Sequence, residues 1–210
     1  IMRANFLYLC SGYYSYDQGH APEFAGQEDF GGQLVHPQFW PEDLDYADKN
    51  VVIIGSGATA ITLLPAMAET AAKVTMLQRT PTYVLSQPGR DLVANAARRV
   101  LPNKLVHQVA RLRYAVMTVG FYQFCRAFPK TARKILLGLT SKSMPEVDPQ
   151  SLRPPYMPWD QRLCVVPAGD LYKAVRSGKA DIVTDRIGGF TPTGIELESG
   201  RHLPADIVVT

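Results

Sequence analysis

The chain is short of several residue patterns that mark common classes of protein. It holds three cysteines in 210 residues, Cys10, Cys125 and Cys164, odd in number and far apart. With no C-x-x-C pair there is no redox dithiol and no zinc-type ligand pair, so neither a disulfide nor a metal is expected, and the usage fits a reducing compartment. No apolar run approaches the ~18 residues that span a bilayer, and no signal peptide is visible, which together suggest a cytoplasmic protein. Residues 92–145 contain no Asp or Glu at all, yet they hold ten Lys or Arg, among them Arg98, Lys104, Arg111, Arg126, Arg133 and Lys142. The formal net charge of +3 hides this asymmetry, because the remainder is correspondingly acidic.

What is present is ordinary globular material: 46% of residues are hydrophobic, enough for a substantial core in one or two domains. The two ends are less ordinary. Asn5-Phe-Leu-Tyr-Leu9 reads as a strand leading into Cys10-Ser-Gly12, and Ala205-Asp-Ile-Val-Val-Thr210 reads as another strand with no turn behind it. Both look like edges of a larger protein, so a fragment or excised domain is expected.

The chain is organised around Val51-Val-Ile-Ile-Gly-Ser-Gly-Ala-Thr-Ala60. Four branched apolar residues without alternation read as a parallel strand buried on both faces, followed by a tight turn and a helix start. Missing side chains at Gly55 and Gly57 let the backbone turn sharply and approach a pyrophosphate on the helix N-terminus. The candidate contacts are Gly55, Ser56, Gly57, Ala58, Thr59 and Ala60. Ile61, Leu63, Leu64, Met67 and Ala71 predict a helix over residues 58 to about 72, and Val74-Thr-Met-Leu77 a second strand. Strand, glycine turn, helix and strand make one βαβ unit of about thirty residues.

An NAD site usually carries Asp or Glu about twenty residues beyond the glycines, on the ribose 2′-hydroxyl. Here the second strand ends Leu77-Gln-Arg-Thr80. Arg79 offers a guanidinium to a 2′-phosphate, with Gln78 and Thr80 as neutral donors, so NADPH is expected to bind better than NADH. Such a charge-assisted bond contributes about 1.5–3 kcal/mol. A solvated surface charge is the plain alternative for Arg79.

Upstream stands Phe30-Gly-Gly-Gln-Leu-Val-His-Pro-Gln-Phe-Trp-Pro41, of the form F-x-G-x-x-x-H-x-x-x-W-P, after a Tyr-, Gly- and Pro-rich linker. This string, shortly before a G-x-G-x-x-A turn, resembles the fingerprint of the class B flavin monooxygenases, and Trp40-Pro41 looks like their Baeyer-Villiger branch. The wider wording, including Ser11-Gly-Tyr-Tyr14 and Gln87-Pro88, is similar to the ethionamide-activating monooxygenases of mycobacteria within that family. The resemblance covers the whole chain. It implies an α/β fold: a Rossmann-like NADP-binding domain with a parallel sheet, a helical insertion and a small β-meander. It also implies a division into residues 1–12, the end of an FAD-domain strand; 13–45, a linker with the fingerprint; 46–90, the first part of the NADPH domain; 91–150, the insertion; and 151–210, the remainder. Phe30, Gly32, His36, Trp40 and Pro41 are implied in a supporting role, with His36 coupling domain motion to catalysis. Read alone, His36 is a loop-holding imidazole and Trp40 an aromatic plug.

Residues 91 to about 143 read as helices broken at Pro102 and Pro129. The resemblance implies that they help shape a substrate cavity. Their composition leaves three readings open: a packed subdomain with a solvated basic face, peripheral contact with an anionic membrane surface, or nucleic-acid binding, for which there is no motif. After Arg153-Pro-Pro-Tyr-Met-Pro158 comes Trp159-Asp-Gln-Arg-Leu-Cys164. Arg162 looks like the family's active-site arginine, implied to stabilise the anionic oxygen-transfer species and the oxyanion that follows. An ion pair with Asp160 is the structural alternative. Gln161 stands where many relatives carry Lys, which leaves more of the NADPH selectivity to Arg79. Further on, residues 169–176 read as a helix, 180–184 as a strand, 194–200 as half of a hairpin and 206–210 as a final strand.

The resemblance implies an NADPH- and FAD-dependent monooxygenase that inserts one oxygen atom from O2 into ketones or oxidises sulfur groups. Only one glycine fingerprint is present, so the FAD site lies mostly outside these residues and the chain alone should be inactive. The alternatives are a non-catalytic NADPH-binding module and an N- or S-oxygenating flavin-containing monooxygenase. A disulfide-reductase-like flavoprotein would need the redox cysteine pair that is missing.

Overall fold

The computed structural model describes residues 3–10, 12, 15–17, 19 and 22–210. In chain order its strands and α-helices begin with β1 (Gln33–Val35), β2 (Asn50–Ile54), α1 (Ala58–Met67), β3 (Lys73–Gln78) and β4 (Tyr83–Gln87). Three helices follow, α2 (Leu92–Ala97), α3 (Asn103–Ala127) and α4 (Pro129–Ser143). The chain then runs through β5 (Leu163–Pro167), α5 (Asp170–Arg176), β6 (Ala180–Thr184), β7 (Ile187–Thr191), β8 (Gly194–Leu197), β9 (His202–Pro204) and β10 (Ile207–Val209).

The main sheet has five parallel strands in the order β1-β10-β2-β3-β6. Successive side chains of a strand point to opposite faces, and each inner strand divides its apolar residues accordingly. Val51 and Ile53 of β2, Val74 and Met76 of β3, and Ile207 and Val209 of β10 enter one core, closed by Ile61, Leu64 and Met67 of α1 and Leu171 and Val175 of α5. Val52, Leu77, Val183 and Val208 enter the other, closed by Phe190, Ile195, Leu197 and Leu203 of the antiparallel meander β7-β8-β9. Helices cover one face and the meander the other, which is why the sequence shows no alternation in β2. The α/β class, parallel sheet and meander are as expected.

The helical segment breaks at both expected prolines. Pro102 precedes α3 and Pro129 opens α4, where a missing N–H costs nothing. The segment is bracketed by β4 and β5, which pair in parallel with Tyr83 opposite Leu163. Along α3, Leu105, Val109, Leu112, Val116 and Val119 stay exposed at spacings of four and three. Among the described residues, no helix is long and apolar enough to cross a membrane.

Several expectations are corrected. Residues 5–9 form no strand: Phe6 to Leu9 are 74–80% exposed, and an extended segment without a ladder partner gains nothing from strand geometry. Ser11, Tyr13 and Tyr14 lie outside the described residues. Helix α1 stops at Met67, because the Thr70 carbonyl accepts from Asp48 N and the Ala72 amide donates to the Lys49 carbonyl, tying the turn to the entry of β2. The final strand is Ile207–Val209, shorter than residues 206–210, although the Asp206 amide still donates to the Asn50 carbonyl at 2.8 Å and the Thr210 amide to the Val35 carbonyl at 3.0 Å.

Replacing Ile53 by Ala, buried between β2 and α1, should cost about 2–5 kcal/mol in denaturant unfolding. Val116→Ala, at a position 63% exposed, should stay within about 0.5 kcal/mol.

Candidate functional site

Strand β2 ends at a turn that only glycine makes without strain. Gly55 has φ +123° while its N–H still donates to the Leu77 carbonyl at 2.8 Å, so the chain reverses before it has left the sheet. Gly57 has φ −81°, open to any residue; a Cβ there would meet no protein atom within 4 Å. Its lack of a side chain therefore keeps the space above the backbone clear. Helix α1 begins next, with Gly57 as N-cap and no side chain capping it. The first-turn amides keep their donors, and with the helix dipole they make an anion-binding end.

Two cavities meet at this turn. One, of about 600 Å³, is lined by Tyr16, His36, Gly55, Gly57, Thr59 and Thr210 among others; the second, of about 550 Å³, by Leu77, Arg79, Asp185, Arg186 and Glu198, and both share Ile54 and Gly55. They follow the carboxyl ends of β10, β2, β3 and β6. The chain passes from β2 outward to β3 and β6 on one side and returns as β10 on the other. Open parallel sheets bind nucleotides in the crevice at such a reversal.

The expected site residues are distributed unequally around it. Arg79 is exposed on the second cavity and has no ion-pair partner among the described residues. Thr80 meets the turn through its carbonyl, which accepts the Ser56 hydroxyl at 2.9 Å. Gln78, expected as a neutral donor to the ligand, is 2% exposed and turned inward. Its amide donates to the Ser151 carbonyl at 2.7 Å and the Thr184 hydroxyl at 2.9 Å, which occupies both protons in tying β3 to the turn Pro149–Leu152 and to β6.

Arg162, far along the chain, lies at the same turn: its Nη2 donates to Ser56 Oγ at 3.3 Å. Asp160, the alternative partner, pairs with Arg126 at 2.8 Å. Residues 82 and 162 immediately precede the paired strands β4 and β5, and Thr82 Oγ1 donates to the Arg162 carbonyl at 3.4 Å. The β4-β5 ladder is what carries the guanidinium to the glycines.

Of the fingerprint, His36 alone lines the cleft. It caps the 3₁₀ turn Pro37–Phe39, its Nδ1 accepting the Gln38 amide at 3.2 Å, which assigns the proton of the neutral ring to Nε2. Phe30 stands edge-on to Phe190 at 5.6 Å. A Cβ on Gly32 would run into the Asp206 carbonyl and the Phe30 ring. Trp40 packs against the helix-side core, and the Pro41 carbonyl accepts the Leu44 amide at 3.3 Å.

Asp185 and Arg186 went unnoticed in the sequence, although they directly follow the carboxyl end of β6. The Asp185 carboxyl is held below the usual range, chiefly by the Ser199 hydroxyl, with Arg186 and Ser199 amides and the Arg201 charge adding to it. The second cavity therefore presents charges of both signs at neutral pH.

A parallel five-stranded sheet with a glycine turn at its point of reversal defines the class: a Rossmann-type α/β domain with a dinucleotide-type crevice. Solved structures share this fold at low identity. One, described as oxidized steroid monooxygenase bound to NADP, superposes with a TM-score of 0.63 at 22% identity, covering 91% of this chain and 44% of that one. A cyclohexanone monooxygenase, described with bound epsilon-caprolactone, gives a TM-score of 0.65 at 17% identity over 90% of this chain and 45% of its own. The family model described as flavin-binding monooxygenase-like matches residues 4–100. The FAD-containing monooxygenase EthA of Mycobacterium tuberculosis is 53% identical over 212 aligned residues, covering 100% of this chain and 43% of that protein. The probable FAD-binding monooxygenase AlmA of Acinetobacter sp is 52% identical, over 99% of this chain and 42% of its own length. The chain is similar to the flavin-binding monooxygenase-like family over residues 4–100 and to these curated relatives over nearly its whole length, and it spans less than half of theirs.

The two glycines should separate in thermal unfolding. Gly55→Ala forces an L side chain to φ +123° and should cost about 1–3 kcal/mol, whereas Gly57→Ala should change stability by less than about 0.5 kcal/mol.

Proposed function

We propose that this chain is the NADPH-binding portion of an FAD-dependent monooxygenase that acts on a ketone, as a Baeyer-Villiger enzyme, or on a sulfur group such as a thioether. The observation that carries the reading is the seat of Arg162 on Ser56 inside the glycine turn, in a chain whose second strand ends in Arg79 in place of a carboxylate. In this reading residues 1–12 are the end of an FAD domain, 13–45 link the domains, 91–150 are an insertion, and 46–90 with 151–210 form the nucleotide domain.

The residues present fit a dinucleotide. The uncapped start of α1 offers amides at residues 57–60 to the pyrophosphate, and the clear space over Gly57 lets it approach. Arg79 pairs with the 2′-phosphate, Thr80 beside it. When bound, NADPH supplies a hydride and FAD the oxygen chemistry. Arg162 holds a fixed positive charge at the turn, where it would stabilise negative charge on the cofactor and on a developing oxyanion. His36, on the linker and at the cleft wall, would transmit linker movement to the bound nucleotide.

The protein that carries this chain should purify with FAD and consume O2 in an NADPH-dependent way on a ketone and thioether panel; a folded product free of flavin would defeat the reading. Arg79→Ala should weaken NADPH binding about ten- to a hundredfold in a titration and leave NADH nearly unchanged. Equal weakening of the two nucleotides would remove Arg79 from the site.

A further inference from the structure

Arg162 is fixed at both ends. Its guanidinium rests on Ser56, and its carbonyl accepts the hydroxyls of Tyr156 at 3.3 Å and Thr82 at 3.4 Å. Those holders are placed in turn: Tyr83 donates to the Tyr156 carbonyl at 2.7 Å, and the two hydroxyls lie 3.0 Å apart, so that either can give its proton to the other in place of the Arg162 carbonyl. What aims the chain into this clamp is the turn just before it.

That turn is strained. Trp159 has φ +69°, a left-handed conformation that a bulky L residue rarely adopts and that persists only where neighbours impose it. The neighbours that impose it lie on α3. The Trp159 ring stands edge-on to Tyr122, centroids 5.7 Å apart, and to Phe121 at 6.3 Å. Asp160 pairs with Arg126, also on α3, while its other carboxylate oxygen accepts the Met157 amide at 3.3 Å and its own amide closes on the Met157 carbonyl at 3.0 Å. Further back, Arg133 of α4 donates to the Pro154 carbonyl at 3.0 Å. Apart from the contacts of Thr82 and Tyr83 with Tyr156, the outside holds on residues 154–160 seen among the described residues come from the helical segment.

We propose that Trp159, backed by the Arg126–Asp160 pair, is the positioning residue for Arg162: α3 holds a left-handed turn in place, and releasing it draws the guanidinium off Ser56 and away from the glycine turn. The ion pair is about half exposed, so alone it contributes little. The aromatic seat carries most of the hold, because two edge-to-face contacts fix both the position and the tilt of the indole. The helical segment thereby sets the charge at the cofactor site without touching the cofactor. The inference rests on the reading of Arg162 given above.

A double-mutant cycle tests it, with NADPH dissociation constants measured by titration on the protein that carries this chain. Arg162→Ala should weaken binding about tenfold, and Trp159→Ala by a similar factor, while Trp159→Phe, which keeps an aromatic seat, should recover most of the loss. In the double variant Trp159→Ala/Arg162→Ala the second loss should vanish, since a residue that acts through Arg162 has nothing to position once it is gone. Arg126→Met, on the helix surface and harmless to the core, should give a smaller loss that is likewise absent without Arg162. Additive losses in the double variant, or normal binding in both Trp159→Ala and Arg126→Met, would overturn the positioning role and leave that of Arg162 standing. If Arg162→Ala itself changes neither NADPH binding nor oxygenation, the reading of Arg162 fails and the positioning role with it.

Discussion

Strand β2 has no outward face, and the rest of the molecule follows from that constraint. Val51 and Ile53 must be covered on one side and Val52 on the other, and each such burial contributes about 1.5–3 kcal/mol. A parallel neighbour can be reached only through a crossover, so α1 is laid over the first face and β3 returns beside β2. The second face takes the meander. Once both layers are in place the chain can leave β2 only at its carboxyl end, and the sharp left-handed turn at Gly55 is the geometry that lets α1 start there.

The same constraint makes the cleft. All five strands of the sheet run the same way, so the loops after β2, β3, β6 and β10 collect on one edge and bring residues remote in sequence together. Arg79 and Asp185 arrive at the second cavity by this route, and Thr210 at the first. Arg162 comes by a different one. Its strand belongs to the separate β4-β5 ladder, whose two ends enclose the helices, so the residue that reaches Ser56 is positioned by the stem of the helical segment. Charge around the glycine turn is therefore set by two independent pieces of architecture.

How much of this the sequence disclosed depended on whether a signal was local. The unbroken run of residues 51–54, the glycines and the two helix-breaking prolines act within a few residues and were legible. Strand β7 was hidden because Gly188 and Gly189 sit inside it, and glycine normally argues against a strand. The β4-β5 ladder was hidden because pairing across residues 88–162 leaves no local trace. Gln78 is more instructive. Val74, Met76 and Gln78 share the face buried under the helices, while Leu77 and Arg79 share the other. Period-two alternation already separated the glutamine from the arginine; reading both as ligands ignored it. At residues 6–9 the apolar run was real, but a strand is defined by its partner, and no described residue pairs with it.

The fingerprint shows why a motif recognised by its chemistry can be built mainly for mechanics. Phe30 packs on Phe190 in the meander-side core and Trp40 on the helix-side core, so the segment from one to the other is gripped on both faces of the sheet. Between them β1 pairs with β10, and the Thr210 amide donates to the Val35 carbonyl at 3.0 Å. Gly32 is required at the crossing because the Asp206 carbonyl fills the place of a side chain. His36 follows β1 directly, beside Thr210 at the cleft wall. The backbone that carries the imidazole is thus held at both ends of the segment, and the aromatic and glycine positions of the motif are what hold it.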